Sequence, residues 1–259
     1  MSHVEAAVIS HPGILRENNE DNFFLNGIYK QAETGNDSSL FKSDCHDKRQ
    51  LYAVCDGIGG MNNGEVAAQL VASHLAVFLS AGIRDFPRYM QEYIDKMSNT
   101  LQSPDNGCSP AGCTLAIVYL DGSRIRVAHL GDSRVYFKRG NLVLTQVTED
   151  HSQAAWFATQ GILTPEQAEI HPSRNVLRRY IGAPNQCERT TDISGAMRLR
   201  RGDVFLICSD GLSNMVDVLE MDAEVLQWQN SADVCRSLVT LALTRGGKDN
   251  ITVLMTRII

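Results

Sequence analysis

Two apolar runs in the chain end in the same way: LYAVC at 51–55 passes directly into Asp56-Gly57, and FLIC at 205–208 reaches Asp210-Gly211 through Ser209. Either one alone is accounted for by a strand ending in a turn, where Asp and Gly are common for conformational reasons. Occurring twice, the pattern raises an alternative in which both carboxylates converge at one sheet edge, with the Gly59-Gly60 pair allowing close backbone approach to a bound group. Further acids stand at comparable places. Asp249 lies in KDNIT (248–252) before the last strand-like run, Asp132 at the tip of an expected hairpin HLGDSRVY (129–136), and Glu20-Asp21 in RENNEDN (16–22) before another strand. Each has its own plain reading as a turn, an Asx turn or a surface carboxylate. Brought together, unpaired carboxylates about 4 Å apart would repel by roughly 4 kcal/mol per pair at an effective dielectric near 20, so such a cluster persists only with cations. Oxygen-only donors suit Mg²⁺ or Mn²⁺, whereas zinc would want His or Cys.

The elements that must position these residues alternate between strand-like and helix-like blocks, with no linker marking a domain boundary. Residues 21–28 and 51–55 read as strands on either side of a polar stretch, 29–50, expected to be a mobile loop. The spacing of apolar residues predicts helices over 64–81, with Asn63 as N-cap, and over 86–102. Four β-rich runs separated by turn dipeptides over 113–148 predict an antiparallel meander. Short helices follow at 152–160 and 164–170, the second opened by the capping box Thr164-Pro165-Glu166-Gln167. A buried strand at 203–208, a helix at 231–245 capped by Ser231 and stopped by Gly246-Gly247, and a last strand at 251–258 complete the reading. Strands and helices gathered in separate blocks predict an α+β layered fold.

A net charge of −6 argues against a nucleic-acid or anionic-membrane binder. No apolar run reaches the roughly 18 residues of a membrane span, and the first residues lack the pattern of a signal peptide. Seven cysteines without a disulfide-like framework fit a reducing cytoplasm. Cys45-His46 and Cys108/Cys113 have neither the spacing nor the second half-site of a zinc centre.

Eight motifs in order then resemble the metal-dependent protein phosphatases of type 2C, in their bacterial branch: RENNEDN (16–22), VCDGIGGMNNGE (54–65), AGCT (111–114), HLGDSRVY (129–136), TEDHS (148–152), HPSRNVLRRYIG (171–182), CSDGLSN (208–214) and KDNIT (248–252). The resemblance implies a single domain over 1–259, a four-layer αββα sandwich of two antiparallel sheets flanked by helices, with a flap at 150–185. It implies a serine/threonine phosphatase with two tightly bound Mn²⁺ or Mg²⁺ ions and a third, weaker one, which hydrolyses phosphomonoesters by an activated water without a covalent intermediate. Asp56 should bridge the two ions, the Gly57 carbonyl bind the second, Asp210 and Asp249 complete the first, and Asp132 with Asp210 take the third. Glu20 and Asp21 should support the ions through water, and Arg16 should grip the substrate phosphate, for which a guanidinium fork is suited. Phosphorylated proteins are the implied substrates and a Ser/Thr kinase the implied counterpart, for a cytoplasmic monomer. One position departs from many relatives: Ile58 stands where a histidine often follows Asp-Gly, which leaves the general acid unassigned. A metal-coordinated water is the first candidate, with His129, His151 and His171 read as structural. Arg174, Arg178 and Arg179 in the flap either meet phosphorylated surfaces or form a solvated basic turn. Two rivals are a catalytically dead phosphoprotein-binding scaffold and a hydrolase of small phosphate esters.

Overall fold

The structure, a computed structural model, describes residues 3–31, 38–58, 63–80, 83, 85–103, 111–184 and 187–259. The Gly59-Gly60 pair, the Thr34–Asp37 part of the polar stretch, Pro104 and Cys108 lie outside the described residues. One antiparallel sheet has the order β10 (Thr145–Gln146), β9 (Arg134–Lys138), β13 (Val204–Cys208), β14 (Ile251–Ile258), β1 (Val4–His11) and β3 (Phe41–Cys45). The other runs β11 (Asp192–Ile193), β8 (Arg124–Leu130), β7 (Leu115–Asp121), β4 (Arg49–Cys55) and β2 (Asn22–Leu25), with β12 (Met197–Arg198) also paired to β8. A short pair, β5 (Gly57–Ile58) and β6 (Gly112–Cys113), stands apart.

The central strands read as unbroken apolar runs because both of their faces are buried. Tyr52 and Val54 of β4 point between the sheets, where they join Val4, Val8, Phe205, Ile207 and Leu254. Leu51, Ala53 and Cys55 of the same strand face α1 (Gly64–His74), α2 (Val77–Ser80) and α3 (Phe86–Gln102) through Ala67, Val71, Phe78 and Met90. On the outer face of the other sheet, Ala7, Leu206, Cys208 and Val253 pack against α7 (Val218–Gln227) and α8 (Ser231–Thr244) through Met221, Val225 and Leu238. These clusters fill three interfaces between four layers, so the α+β, αββα architecture holds. No helix of the described residues is long and apolar enough to cross a membrane.

Several local expectations need correction. The runs over 113–148 do not form one meander: β7 and β8 are a hairpin of one sheet, while β9 and β10 belong to the other. The chain crosses between sheets at Gly131-Asp132, because β9 packs Val135 and Phe137 into the inter-sheet core and pairs with β13. The 29–50 stretch is not all loop, since Phe41–Cys45 forms β3, an edge strand with alternating exposure paired to β1. The helix expected over 64–81 breaks after His74, where Phe78 N–H bonds back to Leu75 O at 3.0 Å and both side chains stay fully buried. Asn63 holds the N-cap position without a side-chain capping bond, and α8 is capped by Asn230, not by Ser231. The strand β1 and helix α7 were not expected; α7 carries a legible signal, the capping box Asp217/Glu220.

The crossover depends on Gly131, whose φ of +115° places any Cβ 2.7 Å from the Thr114 Cβ. Gly131→Ala is expected to destabilise the protein by about 2 kcal/mol in urea unfolding, from left-handed strain and overlap together. An unchanged midpoint would show that the crossover does not constrain the backbone.

Candidate active site

Strand register brings the acids together. The Asn22↔Cys55 pair sets Asp21 beside Asp56, and the Cys208↔Val253 pair brings the β13 exit, with Asp210, to the β14 entry, with Asp249. The Leu115↔Leu130 pair puts Thr114 beside the crossover that carries Asp132. The result is a cleft of about 570 Å³ into which Asp56, Asp132, Asp210, Asp249, Glu20 and Arg16 all face. Ile58, Thr114, Asn250, Asn175, Leu177 and Tyr180 also line it.

Hydroxyl and amide groups hold the backbone that carries Asp56 and Glu20, and the Asp21 carboxylate itself. Thr114 N–H donates to Asp56 O at 2.8 Å, Asp56 N–H donates to Thr114 Oγ1 at 3.1 Å, and Thr114 Oγ1 lies 2.7 Å from Ser133 Oγ. The fully engaged Thr114 thus ties Asp56 to the segment after Asp132. Asp21 is buried, and its Oδ2 accepts from Ser209 Oγ and Thr252 Oγ1, both at 2.7 Å. Asn250 Nδ2 donates to Pro12 O and Asn18 O while its Oδ1 accepts from Glu20 N–H, which fastens the 12–20 segment to the β14 entry. Two glycines allow the approach: a Cβ on Gly57 would lie 2.1 Å from Gly64 O, and one on Gly211 2.0 Å from Asn250 O.

The electrostatics are those of crowded like charge. Burial, then the neighbouring acids Asp21, Asp210, Asp132 and Asp249, push the Asp56 carboxyl well above the usual carboxylate range. Asp132 is raised by burial and by Asp210, and Asp21 and Glu20 chiefly by burial. The Asp210 carboxyl is pushed up to about 7, by burial first and by Asp249 next. Arg16 offsets part of this: its Nη2 donates to Asp249 Oδ2 at 2.8 Å. A half-exposed pair of this kind contributes little stability by itself.

The donor set fits hard divalent cations. All donors are oxygens, the Asp21 Oδ1 atom is buried without a hydrogen-bond partner, and the glycine approaches leave backbone where a side chain would intrude. Asp56, the Gly57 carbonyl, Asp210, Asp249 and Asp132 could hold such ions, with Glu20 and Asp21 behind them.

Arg16, Glu20, Asp56, Gly57, Asp132, Asp210 and Asp249 therefore all reach one cleft, while Asp21 lies beneath it. Asp132 gets there on an inter-sheet crossover and not on a hairpin tip. His129, His151 and His171 do not line the cleft. His151 Nδ1 accepts from Gly131 N–H at 3.0 Å, and its ring stacks on His129 with centroids 4.5 Å apart. Burial lowers both of these imidazoles, His151 to about 4. His171 Nδ1 lies 2.7 Å from Ser173 Oγ within the flap. The three arginines of the 150–185 segment are engaged by nearby groups. Arg179 donates to Asp192 Oδ1 at 2.6 Å, Arg178 stacks over the Trp156 ring at 4.3 Å, and Arg174 donates to Glu169 O at 2.9 Å. Sequence reasoning missed three residues of the 150–185 segment that line the cleft, Asn175, Leu177 and Tyr180. No spacing signal marks them, because the segment from 170 to 180 is irregular turn.

A raised carboxyl destabilises the folded state when it ionises. Between about 4 and 7 the unfolded Asp210 binds fewer protons than the folded one, so its contribution is lost as pH rises through that window. In chelator-treated protein at pH 7.5, Asp210→Asn is expected to raise unfolding stability by on the order of 2 kcal/mol, with the gain vanishing near pH 4. The same variant should gain less from added Mn²⁺. Equal urea midpoints for variant and wild type at pH 7.5 would contradict the electrostatic account.

Comparison with known proteins accords with this geometry. The chain is 32% identical to the serine/threonine protein phosphatase PstP of Mycobacterium tuberculosis over 98% of its own length, and it spans 45% of the length of that relative. It is 29% identical to the serine/threonine phosphatase stp of Listeria monocytogenes, covering 94% of this chain and 91% of that protein. The catalytic domain of PstP in complex with two manganese ions superposes with a TM-score of 0.79 at 27% identity, each chain covered in full. The serine/threonine phosphatase of S. agalactiae gives the same score at 29% identity, with 99% and 100% covered. Residues 16–155 match the family description Protein phosphatase 2C, and with the acids of that segment meeting Asp210 and Asp249 in one cleft, the chain belongs to the protein phosphatase 2C family.

Proposed function

We propose that this protein is a metal-dependent phosphoserine/phosphothreonine protein phosphatase working at a binuclear centre in the carboxylate cleft. The observation that carries the reading is the meeting of Asp56, Asp132, Asp210 and Asp249 from four strand ends, with Arg16 at the mouth. Asp56 would bridge two Mn²⁺ or Mg²⁺ ions, with Asp210 and Asp249 on the first and the Gly57 carbonyl on the second. Asp132 with Asp210 would hold a third, weaker ion, and Glu20 and Asp21 would support the centre through water. Bound there, such ions supply Lewis-acid stabilisation of phosphoryl oxygens and lower the pKa of water.

The remaining work falls to the chain's own residues. Arg16 sits on an exposed segment, so its guanidinium can exchange Asp249 for two oxygens of a phosphate monoester. Thr114, whose hydroxyl lines the cleft, is occupied by Asp56 N–H and Ser133 Oγ and makes a poor nucleophile, and among the described residues no cysteine lines the cleft. These features support a direct attack by water, without a covalent phosphoenzyme, as the proposed route. Ile58 offers no proton and no histidine lines the cleft among the described residues, which leaves a solvent-derived water as the proposed source of the leaving alkoxide's proton. Asn175, Leu177 and Tyr180 form the wall against which a peptide around the phosphoresidue would lie. Phosphoproteins modified by a Ser/Thr kinase of the same cell are the proposed substrates, and a cytoplasmic monomer the proposed state, in one domain with 150–185 as its flap.

Hydrolysis of a phosphothreonine peptide should require Mn²⁺ and fall by at least about a hundredfold in Asp249→Ala with the fold retained. Arg16→Ala should raise KM by about tenfold while Mn²⁺ binding persists. Equal turnover in chelator, or in Asp249→Ala at saturating Mn²⁺, would overturn the reading. Preference for small phosphate esters over all phosphopeptides would overturn the substrate class alone.

A further inference from the structure

The far end of β1 carries a second group of would-be ligands. In the β1/β3 pair Val4 faces Cys45 and Glu5 faces Asp44, and His3 and His46, one residue beyond that ladder, lie side by side. Alternation along the strands then places His3, Asp44 and His46 on one face. The two imidazoles stack with centroids 4.0 Å apart and planes 20° from parallel, and His3 Nε2 hydrogen-bonds Asp44 Oδ1. One ligand atom from each of the three residues lies within 4.8 Å of the others. Glu5 shares the face, but its Oε1 accepts from Ser231 N–H at 2.8 Å. Cys45 points the other way, its Sγ accepting from Asn26 Nδ2 at 3.0 Å. The partner that the Cys45-His46 pair lacks in the sequence is thus supplied across the sheet by His3, and the thiol is not part of the group.

A comparable trio, His129, His151 and Asp192, does not make the same case. There His151 Nδ1 is taken by Gly131 N–H, His129 Nε2 lies 2.7 Å from Glu149 O, and Arg179 already donates to Asp192. At β1/β3 the side chains of His3 and Asp44 are 30% and 69% exposed, so solvent ions reach them.

We propose that His3, Asp44 and His46 form a binding site for one borderline transition-metal ion of the zinc class, separate from the cleft. Two imidazole nitrogens and one carboxylate oxygen are the donors such an ion prefers, whereas the cleft offers oxygen alone and selects Mg²⁺ or Mn²⁺. A tetrahedral ion with bonds of about 2.1 Å spaces its ligands about 3.4 Å apart, inside the 4.8 Å that encloses the three donor atoms, and its capture turns the stacked rings so that their lone pairs converge. Three protein ligands leave a position for water. The cleft loop leaves β1 at its other end, about 26 Å away along eight residues of strand, so the ion does not compete with the catalytic centre. Its effect is to clip the edge strand β3 to β1, which raises stability with the logarithm of ion concentration above the dissociation constant.

The test is calorimetric titration of the purified protein with Zn²⁺ in excess Mg²⁺, alongside His3→Ala, His46→Ala and the size-conserving His46→Gln. Wild type should bind one Zn²⁺ in the micromolar range, and each variant should bind it at least about tenfold more weakly. Zinc should raise the melting temperature of wild type but not of the variants, while Mn²⁺-dependent phosphopeptide hydrolysis stays the same in all four. No Zn²⁺ bound at about 100 μM, or equal affinity in wild type and variants, would overturn the proposal.

Discussion

The constraint on which the structure depends is the mutual repulsion of carboxylates forced into one partly buried place. Asp56, Asp132, Asp210 and Asp249, with Glu20 at the rim and Asp21 beneath, carry more negative charge than a protein interior tolerates unneutralised. Burial and proximity raise their proton affinities, so proton or divalent cation must stand among them. The sandwich explains how such an arrangement is kept. Each acid stands where a strand buried on both faces ends, so the apolar layers fix the backbone and the loops supply the charge. The stability of the layers sustains the strain of the cluster.

Neutral hydrogen-bonding groups do the positioning, which leaves the charged oxygens available. Thr114, Ser133, Ser209, Thr252 and Asn250 between them reach Asp56, Asp21, Glu20 and the 12–20 segment. At Asp56 and Glu20 these partners bond main-chain atoms, which fixes the segment and leaves the carboxylate oxygens free for a cation. Arg16 is the one cation at the mouth among the residues lining the cleft, and it is held by the carboxylate that a metal would claim. On the proposed roles, metal binding at Asp249 and phosphate binding at Arg16 would be linked, since each frees a partner of the other.

Much of this was legible in the sequence. Apolar runs ending in Asp-Gly located Asp56 and Asp210, and the ordered motifs supplied the rest of the acidic set and the layered fold. What could not be read were features that depend on which sheet a strand joins. HLGDSRVY has the local pattern of a hairpin, and only packing of Val135 and Phe137 between the sheets makes it a crossover. The flap arginines attract attention as free charges, yet Asp192, Trp156 and Glu169, distant by 13 to 22 residues or close by in sequence, absorb them. Tyr180 and Asn175 carry no periodic signal, since turn geometry alone aims them at the cleft. β3 was hidden by its polar, edge-strand composition, which suits a strand with one face in water.

The most direct measurement of the central claim is diffraction from crystals grown with Mn²⁺, recorded for anomalous scattering. The account predicts two strong manganese peaks in the cleft, one among Asp56, Asp210 and Asp249 and the other against Asp56 and the Gly57 carbonyl, with Arg16 released from Asp249. Manganese held only elsewhere, with the Arg16–Asp249 pair intact, would contradict it.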